Sequence, residues 1–137
     1  MVIGCIVQAR MGSIRLPGKV LMNVDEKTFV LHSLITQLKN CKFLEKIVIA
    51  TTNLKDDDKI EKFVTSMNIE CFRGSQNDVL DRYYRCAQKF SFSTIVRITA
   101  DNPLIDPTLV DDVIKIFNSN SFDYVSNAHI RSFPYGT

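Results

Sequence analysis

The stretch VIGCIVQARMGSIRLPGK, Val2 to Lys19, is built of two unlike halves. Val2 to Val7 is apolar throughout and rich in β-branched residues, which predicts a short strand, Val2 to Gln8, buried on both faces. From Gln8 onward the chain places Arg10, Arg15 and Lys19 among Gly12, Pro17 and Gly18. Such a span is neither helix nor strand throughout. Glycine permits positive φ and close approach of the backbone to a ligand, and Pro17 pushes Leu16 towards extended geometry. The chain therefore opens with a buried strand that runs straight into a basic, glycine-containing loop.

The strand pattern recurs, and helical patterns separate its copies. Lys46 to Thr51 (KIVIAT), Glu70 to Phe72, Thr94 to Ile98 (TIVRI) and Phe122 to Val125 read as further short strands. Apolar residues at helical spacing predict helices over Thr28 to about Lys39, Asp56 to about Met67, Asn77 to Lys89 and Pro107 to Phe117. The third of these is expected to turn Val79, Leu80, Tyr83, Tyr84 and Ala87 inward. Asp56, Asp57 and Asp58 suit the start of the second helix as caps and dipole partners, and Asp106 before Pro107 suits the cap of the fourth. Strands alternating with helices predict an α/β layered fold with a mostly parallel sheet. In such folds ligands sit at the carboxyl ends of the strands. Two chemically unusual segments lie at such ends: the opening loop, and TADNPLID after TIVRI.

Composition narrows the field. The 137 residues suffice for one domain, and 45% apolar with 23% charged residues is ordinary globular usage. Seventeen basic and fifteen acidic residues leave a net charge of +2, too balanced to argue for nucleic acid or an anionic membrane as partner. Cys5, Cys41, Cys71 and Cys86 lie far apart, form no CxxC pair and have no metal-like spacing to His32 or His129. They read as reduced, buried thiols rather than as disulfides or a metal site, and neither histidine reads as catalytic. The apolar start is short and runs into Arg10, so it reads as neither signal peptide nor membrane span, and the cytoplasm is the default expectation.

Fixed positive charge from Arg10, Arg15 and Lys19, the Ser13 hydroxyl and free backbone N–H groups on a glycine loop are chemistry for a polyphosphate. Two familiar phosphate motifs do not match. The P-loop needs four residues between its glycines and Ser or Thr after its lysine, whereas five separate Gly12 from Gly18 and Val20 follows Lys19. The dinucleotide fingerprint fails because Ser13 and Ile14 follow Gly12.

The pattern AxxGSxRLPGK, running from Ala9 to Lys19, resembles the signature of the nucleotidyltransferases that activate sugars. It is most similar to the cytidylyltransferases: CMP-acylneuraminate and CMP-Kdo synthetases, and above all the spore coat polysaccharide biosynthesis branch. Four blocks carry the resemblance in family order over nearly the whole chain: QARMGSIRLPGK, KIVIATT, GSQNDVLDRYYRCA and VRITADNPLIDP. The resemblance implies a Rossmann-like nucleotide-diphospho-sugar transferase (GT-A-like) fold, here ending after about five strands. It implies CTP and a sugar or sugar acid as substrates, Mg²⁺ as cofactor, pyrophosphate as product and a homodimer as assembly.

Residue by residue, the resemblance wraps the opening loop around the triphosphate, giving nucleotide contacts to Ala9, Arg10, Gly12, Ser13, Arg15 and Lys19. Arg15 and Lys19 would hold the leaving pyrophosphate, and Asp101 would bind Mg²⁺. Asp78 and Arg82 in the third block are further nucleotide candidates, and Thr51 to Asn53 would border the same pocket. The chain departs from the family at MNVDEKT, Met22 to Thr28, where a short Gly-Lys-Pro-like turn is usual. Residues 1–137 correspond to the nucleotide-binding portion of one domain whose acceptor half would follow. This portion alone is therefore expected to turn over poorly or not at all, and the tail bearing Phe133, Pro134 and Tyr135 to favour self-association. A nucleotide-binding module without turnover is one alternative. The other is a glycosyltransferase whose DxD motif would fall at Asp56 to Asp58.

Overall fold

The computed structural model describes residues 1–26 and 28–127. Its elements alternate along the chain: β1 (Ile3–Gln8), α1 (Val30–Leu38), β2 (Lys46–Thr52), α2 (Asp58–Ser66), β3 (Glu70–Gly74), α3 (Val79–Lys89), β4 (Thr94–Thr99) and α4 (Pro107–Ser119). The strands make one sheet in the order β3-β2-β1-β4, parallel at every pairing. β1 lies inside the sheet, with Ile6 opposite Val48 on one side and Arg97 on the other. That position explains its unbroken apolar run: Cys5, Ile6 and Val7 are all fully buried.

The pleat sends alternate residues of β1 into two different cores. Cys5 and Val7 join Leu31, Leu34, Ile35 and Leu38 of α1, Ile60 and Val64 of α2, and Val110 and Ile114 of α4. Ile6 joins Val48, Ala50, Tyr83, Cys86 and Ala87 under α3. Each aliphatic side chain so buried stabilises the fold by about 1.5–3 kcal/mol. Gly4 lies on the α3 side, and a Cβ there would stand 2.3 Å from the Phe92 ring. Gly4→Ala is therefore expected to destabilise the fold by about 1–3 kcal/mol, the usual cost of overpacking. A urea melt checks it, and an unchanged midpoint would contradict the close packing of Phe92 on β1.

Helix ends follow their local chemistry. Asp106 caps α4 as the sequence predicts, its carboxylate accepting from the Thr108 N–H at 2.8 Å and from the Thr108 hydroxyl, with Pro107 in the first turn. Asp111, though charged, is 4% exposed because it accepts from the Lys42 N–H at 2.9 Å and the Phe43 N–H at 3.2 Å, tying α4 to the turn before β2. Met22 to Thr28 begins and ends in a local pairing, with Asn23 bridged antiparallel to Phe29.

Three expectations are corrected. Phe122 to Val125 forms no strand, and Phe122 and Tyr124 are exposed, so the sheet has four strands among the described residues. On α3, Leu80 and Tyr84 face solvent, at 80% and 60% exposure, while Arg82, Tyr83, Cys86 and Ala87 are buried. The buried stripe is shifted by one residue and runs through an arginine. At the start of α2, the Asp57 side chain makes no cap bond. His129 and the apolar tail residues Phe133, Pro134 and Tyr135 lie outside the described residues.

The strand order places the functional end. From β1 the chain steps outward to β2 and β3, with α1 and α2 contributing to one core. It then returns past β1 to β4, with α3 contributing to the other. The order reverses between β1 and β4, and a crevice opens at the carboxyl ends of strands where this happens. The loops leaving β1 and β4 are the two that the sequence marks as unusual.

Candidate functional site

A cavity of about 510 Å³ lies at that crevice, lined by Gln8, Arg10, Ser13, Ile14, Arg15, Lys19, Val20, Thr99, Ala100 and Asp101. It brings together Arg10, Ser13, Arg15, Lys19 and Asp101 from the sequence-predicted set. Three cationic side chains come from the loop after β1, and one carboxylate comes from the loop after β4. Gln8 and Thr99 were not predicted. They stand opposite one another as the last paired residues of β1 and β4, so only the pairing of those strands puts them there.

The loop is folded around one peptide. The Met11 carbonyl accepts from the Ser13 N–H at 2.9 Å and from the Gly18 N–H at 2.8 Å, closing the loop on itself. Gly18 has φ 73°, a left-handed conformation that a side chain would strain, and it leads into a 3₁₀ turn, Lys19–Leu21. Gly12 does not need its freedom in the same way: its φ is not positive, and a Cβ there would meet nothing within 4 Å. The Ser13 Oγ accepts from the Leu16 N–H at 3.4 Å, which leaves its own O–H to donate elsewhere. Ala9 is buried, and its N–H bonds the Ala50 carbonyl, so it anchors the loop base instead of lining the cavity.

Across the cavity, Lys19 Nζ stands 2.6 Å from Asp101 Oδ2. The Lys19 contact holds the Asp101 carboxyl below its ordinary value, against the opposing effect of partial burial, with help from Thr99. Among the described residues no cluster of three or more His, Cys, Asp or Glu side chains could cage a metal. One carboxylate beside a hydroxyl is instead the oxygen donor set that suits Mg²⁺, which takes few protein ligands and completes its shell with water and phosphate oxygens.

Asp78 and Arg82 lie outside the cavity lining. Asp78 is exposed and caps α3, accepting from the Asp81 N–H at 2.8 Å. Arg82 is fully buried on the α3 side of the sheet, its Nη1 donating to the Ser75 carbonyl at 2.7 Å. Among the described residues its Nε and Nη2 have no hydrogen-bond partner. Burial pushes its pKa down, nearby Arg10 acts in the same direction, and Tyr83 and Asp57 oppose them. Thr51 and Thr52 are buried at the end of β2, Thr52 bonded to Asp57. In the acidic run, Asp57 accepts from the Met11 and Thr52 N–H groups, and Asp58 pairs with Arg73 at 2.9 Å.

A parallel α/β sheet with a basic loop and a carboxylate facing each other at its switch point is an arrangement suited to an anionic ligand. Residues 4–132 match the cytidylyltransferase family, and the chain belongs to that family. It is 43% identical over 125 residues to an uncharacterized protein of Methanocaldococcus jannaschii, covering 91% of this chain and 51% of that one. It is 37% identical over 135 residues to the spore coat polysaccharide biosynthesis protein SpsF of Bacillus subtilis, covering 96% of this chain and 55% of SpsF. Among solved structures, a cytidylyltransferase from Leptospira borgpetersenii superposes with a TM-score of 0.84 at 40% identity, over 88% of this chain and 50% of that one. The chain thus spans about half the length of the curated relatives it matches. Among the described residues no helix is long and apolar enough to cross a membrane.

Proposed function

We propose that this chain carries the nucleotide site of a CTP-dependent cytidylyltransferase that joins CMP to a sugar or sugar acid. The observation that carries the reading is the convergence of Arg10, Arg15, Lys19 and Asp101 on one cavity at the β1–β4 switch point. A nucleoside triphosphate brings about four negative charges, of which one Mg²⁺ cancels about half, and loop cations must meet the remainder. In the reaction a sugar hydroxyl oxygen bonds to the α-phosphorus, the bond from that phosphorus to the β-phosphate oxygen breaks, and pyrophosphate leaves. The hydroxyl proton is released. Catalysis of such a displacement is mostly positioning and charge stabilisation. Arg15 and Lys19 hold the departing pyrophosphate, and Arg10 and Ser13 hold the remaining phosphate oxygens. Asp101 would hold Mg²⁺, which when bound neutralises charge on the phosphates.

The Lys19–Asp101 ion pair is the resting arrangement in this reading. Triphosphate offers Lys19 a stronger partner and so releases Asp101 for the metal. Likeness to SpsF supports a place in surface or spore-coat polysaccharide synthesis, and a cytoplasmic homodimer completes the proposal. The test is pyrophosphate release with CTP, UTP, ATP or GTP over a panel of sugar acids, alongside calorimetric titration of each nucleotide with Mg²⁺. CTP is expected to bind best of the four, with little or no pyrophosphate released by this portion alone. Binding of none of the four would refute the reading.

Arg82 gives an independent check. A buried guanidinium with two unpartnered nitrogens costs folding free energy and is retained where a ligand benefits from its charge. Arg82→Met is expected to leave the melting temperature of ligand-free protein unchanged or higher, while weakening Mg·CTP binding by about tenfold or more. A lowered melting temperature with unchanged affinity would make Arg82 a structural residue only.

A further inference from the structure

We propose that Asp57 is a positioning residue that sets the conformation of the phosphate loop, an inference that rests on the nucleotide reading of that loop. Asp57 is 1% exposed, yet no lysine or arginine among the described residues forms an ion pair with it. Its carboxylate is satisfied by hydrogen bonds from two distinct segments. Oδ1 accepts from the Met11 N–H at 2.7 Å, and Oδ2 accepts from the Thr52 N–H at 3.2 Å and from the Thr52 hydroxyl. The group thus joins the end of β2 to the third residue of the loop after β1.

The peptide it holds, Arg10–Met11, directly adjoins the Met11–Gly12 peptide around which the loop folds. With the Met11 N–H fixed on Asp57, the Met11 carbonyl holds Ser13 and Gly18 through their N–H groups. Arg10 precedes that peptide, and Lys19 follows Gly18. The side chains that line the cavity therefore hang from a loop whose orientation is referred to one buried carboxylate.

Asp57 itself sits on a braced turn. Arg73 at the end of β3 donates from Nε to the Thr52 carbonyl at 2.5 Å and from Nη2 to the Leu54 carbonyl at 2.8 Å. It also pairs with Asp58 at 2.9 Å and Glu61 at 2.6 Å, both in the first turn of α2. The chain of contacts runs from β3 through Arg73 to the 52–61 segment, from Asp57 to Met11, and from Met11 to Gly18. Only an acceptor-only group can serve here, because all three donors point at it. Asparagine has the same shape but replaces one oxygen with a donor, so either Met11 or Thr52 would lose its acceptor.

The test is amide hydrogen exchange by NMR on ligand-free wild type and Asp57→Asn, followed by calorimetric titration with Mg·CTP. Exchange at Met11 and Gly18 is expected to accelerate by about tenfold or more while exchange at Ile6 in β1 stays as in wild type, and Mg·CTP affinity to fall by about tenfold. Wild-type exchange at Met11 and Gly18 in the variant would overturn the proposal, as would accelerated exchange without loss of affinity in a protein that binds CTP. If wild type binds no nucleotide, the functional reading fails, and the exchange arm still decides whether Asp57 sets the loop. Should Asp57→Asn not fold, Thr52→Val removes one donor and keeps the β-branched shape. Faster exchange at Met11 then supports the proposal, and wild-type exchange there overturns it.

Discussion

Replacing Lys19 with alanine is expected to weaken Mg·CTP binding by about 1.5–3 kcal/mol, roughly 10- to 150-fold, the scale of one charge-assisted contact. The same substitution should have the opposite effect on metal alone. In the ligand-free protein Lys19 Nζ occupies the Asp101 carboxylate at 2.6 Å, so a divalent cation approaching Asp101 competes with a fixed ammonium. Removing that ammonium leaves Asp101 free. Lys19→Ala should therefore bind Mn²⁺, used as a spectroscopic probe for Mg²⁺, more tightly than wild type when no nucleotide is present. Opposed changes for nucleotide and metal are not produced by simple loss of stability. Calorimetry gives the first change and electron paramagnetic resonance the second. Unchanged affinity for Mg·CTP in a folded variant would remove Lys19 from the site.

Asp101→Asn should act on the other partner. Asparagine keeps the shape of the side chain and loses the charge that a hard cation prefers. Wild type should bind CTP more tightly as Mg²⁺ is raised, and the variant should lose most of that dependence, about tenfold or more in affinity at saturating Mg²⁺. Binding without metal should fall little, because the variant also releases Lys19 from its ion pair and makes it available to phosphate. The Asp101 side chain is 40% exposed and makes no buried network, so the fold should survive. The same Mg²⁺ dependence in both proteins would make Asp101 merely the resting partner of Lys19.

These two residues are 82 positions apart in the chain, and each could be read from local sequence because each sits in a chemically dense loop. The strands β1 and β2 were equally legible, since burial on both faces writes a continuous apolar run, and β4, which is half exposed, was legible from its β-branched composition. What local pattern could not supply is the order of strands. That β4 returns to lie beside β1 is a long-range fact, and it alone brings Gln8 and Thr99 to the cavity. The face of α3 was misread for a related reason. Val79, Leu80, Tyr83, Tyr84 and Ala87 satisfy helical spacing, but so do Val79, Arg82, Tyr83, Cys86 and Ala87. Spacing alone does not choose between them, and the structure buries the stripe that runs through Arg82. Asp57 was read as a helix acid because it begins a helix. Its actual partners, Met11 and Thr52, come from other elements, which no periodicity reveals. Phe122 to Val125 has strand composition, yet composition supplies no partner strand, and in the fold it pairs with none of the four.

In the proposed function the crevice between the ends of β1 and β4 is the nucleotide site. The most direct measurement is a titration of ¹⁵N-labelled protein with CTP, with and without Mg²⁺, followed residue by residue through backbone amide shifts. It registers weak binding as readily as strong binding and reports position as well as affinity. Shifts are expected to concentrate at 8–19 and 99–102, with Mg²⁺ adding its effect at Asp101 and its neighbours. Shifts confined to α4 and to the part of β4 before Thr99, or no shifts at millimolar CTP, would contradict that placement.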